Sequence, residues 1–457
     1  MSVEQPSDGP TTAASDDTGE TSPPPQTPSI ARESPLRRLA AGLATNLRDP
    51  STALPLLLIA ALVVRSIWLE LPRGSLIFDE AYYVNAARTL LGWVLPEGAN
   101  YAGSPPGLDP NSEHPPLGKL LIAGSMLLFG DNGIAWRLPS LVSGMGALGA
   151  FYLIVRAAGE TAWLGILAVG ILAFDNLTFV HGRIGTLDMM VLLPMLVAAW
   201  LALRERWALA GITLGIGLLI KLTALYGLLA VGLYLGLRLL GEWRATRRVS
   251  LASLRPGIVV LVAFAVVAIG GLWLLDTRFS TYTSPFDHLQ RIVEYGANLR
   301  QPVVQTGICP GADSGPLQWV FNQCQITYVR VDVTVRAGEE VVALVPSVDF
   351  RGALNPLLPN MMLIATLFTG WYAWRSGNVL ARWSVVWIVA NYLPYVAISL
   401  VSNRIMYLYY FLPVVPGVAA AIAIFLTRAR LPRVVTYGYL VAYAAGFAAY
   451  FPFRQIP

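Results

Sequence analysis

Apolar runs of roughly 16–21 residues, separated by short polar connectors, recur along most of this chain. A run of that length matches the hydrocarbon core of a bilayer. The pattern predicts about eleven spanning helices, near residues 52–71, 138–156, 161–178, 186–203, 207–221, 223–240, 256–275, 356–374, 380–400, 407–427 and 433–451. One further apolar stretch, residues 117–130, is about fourteen residues long, which suits an interfacial or re-entrant helix better than a crossing. The positive-inside bias selects between the two readings. If 117–130 stays at the surface, one side receives Arg32, Arg37, Arg38, Arg48, Arg156, Arg204, Arg206, Arg244, Arg247, Arg248 and Arg255. The same side receives Arg375, Arg382, Arg428, Arg430 and Arg433. If it crosses, these residues scatter over both faces. The expectation is therefore an all-α polytopic membrane protein with a cytoplasmic N-terminus and its C-terminus outside.

The polar stretches complete this outline. Residues 1–34, rich in Ser, Thr, Pro, Gly and Asp, are expected to form a disordered cytoplasmic tail. No cleavable signal precedes them, so the first span is expected to act as signal anchor. Residues 35–275 then form an N-terminal transmembrane module whose first outer loop is 72–137. Residues 276–355 form an outer loop domain, and 356–457 the C-terminal helices. Within the loop domain, Phe286, Leu289, Ile292, Val293 and Leu299 fall near one helical face behind Ser284 and Pro285, which predicts a helix lying on the membrane. Val329, Val331, Val333 and Val335 alternate with polar residues, turn at Ala337-Gly338-Glu339 and return through Val341–Val345, a β-hairpin pattern. About eighty residues are too few for a separate catalytic domain.

Composition agrees with the membrane class: 55% of residues are hydrophobic and 13% charged. The net charge of +5 resides in the basic inner loops and gives no reason to invoke nucleic acid. The two cysteines, Cys309 and Cys324, both fall in the outer loop domain. A disulfide is favoured there over metal binding or catalysis, with two unpaired thiols as the alternative.

The candidate chemistry collects on the outer side. Asp79 and Glu80, Glu113 and His114, the turn from Asp175 to Asp188, Lys221, the 276–355 loop and Arg404 all fall there. An acidic pair just outside a span is costly to keep, and it suggests a site where a carboxylate meets a substrate carried on lipid. Alternatively, Asp79 and Glu80 cap a surface helix through residues 81–91. The chain has no nucleotide-binding glycine motif. An activated sugar or phosphate delivered on lipid fits such an outward site.

These residues resemble the protein O-mannosyltransferase family, membrane glycosyltransferases of the GT-C fold. Phe78-Asp79-Glu80 resembles the family's acidic pair after the first span, and His114-Pro115-Pro116-Leu117-Gly118-Lys119 its HPPLxK motif. Arg183 and Asp188 in GRIGTLDMM resemble the RxxxxD signature, with Asp175-Asn176 where the family usually has Glu-Asn. Gly215 to Lys221 resembles its glycine-rich span ending in lysine. Ser314 to Trp319 is similar to SxPxxW, and Asn355-Pro356 to the downstream NP. Tyr410 and Gly296 stand where the family usually carries histidines, and the lumenal β-trefoil of eukaryotic members is absent.

The resemblance implies a GT-C fold and transfer of mannose, with inversion, from a polyprenyl-phosphate donor to Ser/Thr hydroxyls of exported proteins. It implies Asp79 as base, where a second carboxylate and nearby lipid raise the pKa, and Glu80 holding the acceptor or sharing its proton. His114, Lys119, Arg183, Asp188, Lys221 and Arg404 are candidates for donor phosphate and sugar. Each has a structural alternative: a turn anchor for His114, snorkelling for Lys119, and an Arg183–Asp188 ion pair. Ser314, Trp319 and Tyr410 are candidates for the acceptor side, although tryptophan and tyrosine also form membrane belts. No obligatory metal is expected, because three scattered histidines offer no ligand spacing. A lipid or cell-wall glycan remains open as acceptor, as does a transporter without chemistry. The transporter is disfavoured because the ionisable residues lie at span ends rather than mid-span. The site is expected on the extracytoplasmic face of the cell membrane.

Overall fold

Helix boundaries follow local capping chemistry. Asp49 accepts from the Ser51 amide at 2.9 Å, and Pro50 opens the first helix, α1 (Pro50–Ser66). Asn132, Thr161 and Ser250 cap later helices in the same way. The computed structural model describes residues 48–300, 309, 313–338, 340–402 and 404–454. The expected tail, residues 1–34, lies outside them.

After α1 come α2 (Glu80–Leu90), α3 (Leu117–Phe129), α4 (Gly133–Ala157), α5 (Ala162–Ala173), α6 (Asn176–His181), α7 (Leu187–Leu203) and α8 (Trp207–Leu218). Next are α9 (Ala224–Thr246), α10 (Leu251–Phe279), α11 (Pro285–Asn298) and α12 (Pro316–Val320). A hairpin of β1 (Ile326–Ala337) and β2 (Glu340–Gly352) follows, then α13 (Leu358–Ser376) and α14 (Val379–Val401). A 3-10 turn (Leu408–Val414) runs into α15 (Val415–Arg428), and α16 (Arg433–Ala449) comes last.

Every expected span contains a helix, but they differ in length. Among the described residues five helical runs are long and apolar enough to cross a membrane: α4, α9, α10, α14 and Leu408–Arg428. α1, α3, α5, α7 and α8 are shorter apolar helices. The expected span 161–178 shows why. Asp175 accepts from the Thr178 amide and starts a new short helix, α6, so the apolar run is broken inside its length. The apolar stretch 117–130 forms α3 and stops at Gly130, whose φ is 85°.

α7 is buried along nearly its whole length, with α4, α8 and α9 packed around it, whereas α10 is largely exposed. Glycine allows α10 to approach α8, since a Cβ on Gly215 would come within 2.7 Å of Val267 Cβ. The far end of α10 is tied twice. His288 Nδ1 of α11 lies 2.8 Å from Asp276 Oδ1, and the Phe279 carbonyl accepts from the Asp109 amide at 2.7 Å. On α11 the buried residues are Pro285, His288 and Ile292, while Phe286 and Val293 are exposed. The expected apolar face is thus only partly the packed one, because His288 is drawn inward by Asp276.

β1 and β2 pair antiparallel from Ile326↔Gly352 to Ala337↔Glu340, with three register shifts. The hairpin is longer than the alternating residues alone suggest. Its base is fastened by the chain's end, where Asp349 N donates to Pro452 O at 2.7 Å and Arg454 N to Ser347 O at 2.8 Å. Cys309 and Cys324 form a disulfide.

Candidate active site

The acidic pair splits at the start of α2. Phe78 adopts a left-handed φ of 54°, unusual for a bulky residue, and its ring is held by stacking on Tyr328 at 4.1 Å. Glu80 turns inward and is fully buried. Its Oε1 accepts from Arg137 Nε (2.8 Å) and Gly185 N (2.7 Å), and its Oε2 from Ile77 N (2.7 Å) and Arg137 Nη2 (3.0 Å). Arg137 also donates to the Leu69 and Leu71 carbonyls. The carboxylate has no capacity left for an acceptor or a shared proton. The expected role of Glu80 is therefore corrected: it ties the 69–80 loop to α4.

Asp79 faces the other way. Its side chain makes no capping bond to α2, and it lines a cavity of about 850 Å³. Glu113, His114, Lys221, Arg404 and Tyr410 line the same cavity, along with a wall of further tyrosines that includes Tyr83, Tyr395 and Tyr409. Burial pushes the Asp79 carboxyl up to about 7, partly countered by the Lys221 charge. Burial also raises Glu113. It lowers His114, helped by the Lys221 and Lys119 charges, so the imidazole is neutral, and its Nδ1 is buried without a hydrogen-bond partner.

Of the two cations on this cavity, Lys221 is paired: its Nζ lies 2.7 Å from Asp188 Oδ1 and 5.6 Å from the centre of the Tyr409 ring. Arg404 differs. Among the described residues no carboxylate lies within ion-pair distance of it, and its Nε is buried and unbonded. The guanidinium sits 5.9 Å from the Tyr410 ring centre, and a Cβ on Gly296 would come 3.4 Å from its Nη2. The two positions where family histidines are replaced thus flank one arginine.

Other expected site residues lie behind the cavity. Lys119 is fully buried; it pairs with Asp109 Oδ2 at 2.6 Å and donates to the Asn111 and His114 carbonyls at 2.5 and 2.6 Å. It shapes the 109–114 loop from behind the cavity, and being fully buried it does not snorkel. Asn111 in turn donates to Glu113. Arg183 does not pair with Asp188. It donates to Ile67 O at 2.7 Å and lies over Phe179, Phe350 and Phe453, because Asp188 is engaged by Lys221 and His181. Trp319 is buried, donates to Ser314 Oγ at 2.9 Å and packs edge-on against Tyr395 and Tyr410. Ser314 and Trp319 therefore buttress the tyrosine wall from behind and do not line the cavity. Asp175 Oδ1 accepts from Asn355 N, joining α6 to the NP segment.

Sequence reasoning passed over Arg137, Asp109, His181 and Tyr328. Arg137 carried a usable signal, being a cation at the outer edge of an expected span. Among the described residues no group of three or more His, Cys, Asp or Glu side chains is gathered as a metal would require.

The sequence model for dolichyl-phosphate-mannose-protein mannosyltransferase matches residues 113–270. A polyprenol-phosphate-mannose–protein mannosyltransferase of Corynebacterium glutamicum is 27% identical over 255 residues, 47% of this chain and 48% of that protein. One of Mycobacterium tuberculosis is 33% identical over 116 residues, 25% of this chain and 21% of that protein. The matches therefore span about half, or less, of these relatives. The Saccharomyces cerevisiae Pmt1-Pmt2 complex bound to its sugar donor superposes with a TM-score of 0.63 at 12% identity, covering 90% of this chain and 91% of that one. ArnT of Cupriavidus metallidurans bound to undecaprenyl phosphate gives 0.54 at 18% identity, over 86% and 63%. The chain shares the GT-C membrane fold of these structures, and over residues 113–270 its sequence matches the model of the protein mannosyltransferases.

Proposed function

We propose that this protein transfers mannose from a polyprenyl-phosphate donor to Ser/Thr hydroxyls of exported polypeptides, with inversion. The carrying observation is that a buried carboxylate, Asp79, and a cation with no carboxylate partner among the described residues, Arg404, line one tyrosine-walled cavity. Asp79 takes the hydroxyl proton as the acceptor oxygen bonds to the anomeric carbon. The bond from that carbon to the phosphate oxygen breaks, and the departing phosphate keeps the electron pair. Arg404, and Lys221 from its pair with Asp188, stabilise that charge. His114, held neutral, donates or accepts a hydrogen bond without adding charge. The expected topology, about eleven spans with the N-terminus inside, puts the cavity on the extracytoplasmic face of the cell membrane. It is supported by the helix inside every expected span and by the one-sided arginines.

The test is transfer by the purified protein in detergent from radiolabelled polyprenyl-phosphate-mannose, with Ser/Thr-rich peptide and total lipid extract offered in parallel. Label on the peptide, removable by β-elimination, is the expected result. Label confined to lipid or glycan moves the acceptor to the cell envelope. No label in either overturns the proposal.

A further inference from the structure

Resting on that reading, we infer that Tyr328 and His181 are positioning residues through which the β-hairpin fixes the Lys221 ammonium in the cavity. Three contacts form an unbroken line between them. The Tyr328 hydroxyl on β1 lies 2.8 Å from His181 Nε2, His181 Nδ1 lies 3.3 Å from Asp188 Oδ2, and Lys221 Nζ lies 2.7 Å from Asp188 Oδ1. All four residues are buried. His181 Nδ1 hydrogen-bonds Thr186 Oγ1 at 3.2 Å, and Asp188 Oδ2, 3.3 Å from the same nitrogen, has no hydrogen-bond partner among the described residues. The imidazole, held at one nitrogen by Tyr328 and at the other by Thr186, stands against that unbonded oxygen while Lys221 holds the other. The ring thereby limits how the carboxylate turns and hence where the ammonium sits; without His181, Asp188 can rotate with Lys221 following it.

Tyr328 is itself tightly placed. Its ring stacks on Phe78, next to Asp79, and a Cβ on Gly352 of β2 would run into its hydroxyl. One tyrosine on the hairpin thus touches both the loop that carries the proposed base and the line that holds the cation. The hairpin has a defined task here, which is to align two groups of the cavity that come from separate loops, Asp79 before α2 and Lys221 between α8 and α9.

The experiment compares wild type with Tyr328→Phe, His181→Asn, His181→Ala and Gly352→Ala. Val342→Ser, at the exposed hairpin tip, serves as control. Donor KM, acceptor KM, kcat, thermal midpoint and affinity for undecaprenyl phosphate in detergent are measured for each. Tyr328→Phe keeps the ring stack and loses the hydroxyl. It should raise donor KM and weaken undecaprenyl phosphate binding by about five- to tenfold, the effect of one lost buried hydrogen bond, with acceptor KM and thermal midpoint unchanged. Gly352→Ala, which displaces the hydroxyl, should shift the same two quantities. His181→Asn keeps a polar side chain beside Asp188 and should retain more affinity than His181→Ala. Unchanged donor KM and phosphate affinity in Tyr328→Phe and His181→Ala overturn the inference, as does an equal loss in donor and acceptor KM. If wild type transfers no mannose, the functional reading falls, and the affinity series still decides the alignment.

Discussion

At the residue scale the site rests on the opposite fates of two adjacent carboxylates. Asp79→Asn should abolish transfer while leaving undecaprenyl phosphate binding intact; near-wild-type turnover would sink the proposed base. Because its pKa rises from 3.8 to about 7, the active carboxylate form accumulates as pH rises. Turnover should therefore climb between pH 6 and 8 with a midpoint near 7, read from a pH–rate profile. The stability sign is opposite. The folded chain retains a proton there that the unfolded chain releases, so this contribution is present below about pH 4 and is lost as pH rises through 7. Arg404→Ala should weaken a phosphate-bearing donor analogue more than a neutral one, and equal losses would make the arginine structural. That Asp79, His114, Lys221 and Arg404 meet at one cavity was legible because each stands at or beside a polar break between apolar runs, and Tyr410 follows from its motif. Glu80, Lys119, Arg183, Ser314 and Trp319 were expected beside them and stand behind the cavity for one physical reason. A motif places a residue near a site, but only packing decides which way a side chain turns, and these turn into the protein.

At the scale of elements, the loop before α2 is fastened to α4 through Glu80 and Arg137. Removing one partner of a fully buried ion pair leaves an uncompensated charge, at a cost of about 3–5 kcal/mol. Arg137→Ala should therefore lower the thermal midpoint in detergent and lose activity together with it. An unchanged midpoint would place the loop's anchorage elsewhere. Element positions were read well from hydrophobic length, since each expected span contains a helix. Helix ends were read less well, because one capping side chain such as Asp175 divides an apolar run and is averaged out over a window the length of a span. The hairpin was visible from alternation, whereas its grip on the chain's end at Pro452 and Arg454 joins residues about a hundred positions apart and has no local signature.

At the scale of the molecule, the proposed topology has a direct test. Val342→Cys on the hairpin should react with an impermeant maleimide on intact cells, and Arg247→Cys, after α9, only once the membrane is opened. The reverse pattern would invert the protein. α10 has a consequence on this scale as well. Its 29 residues extend about 44 Å at 1.5 Å each, so beyond the apolar run 256–275, which matches a hydrocarbon core of about 30 Å, the helix continues to Asp276 and Phe279. In a bilayer thinner than that apolar run, such a helix meets the mismatch by leaning. Asp276 at its far end holds α11 over the cavity, and Phe279 holds the loop that carries Glu113 and His114. A change of lean would thus reach the cavity roof, and bilayer thickness would become a variable of the proposed transfer. In proteoliposomes of graded acyl length, turnover should pass through a maximum. A flat response would mean that the ties at Asp276 and Phe279 do not pass the lean of α10 on to the site.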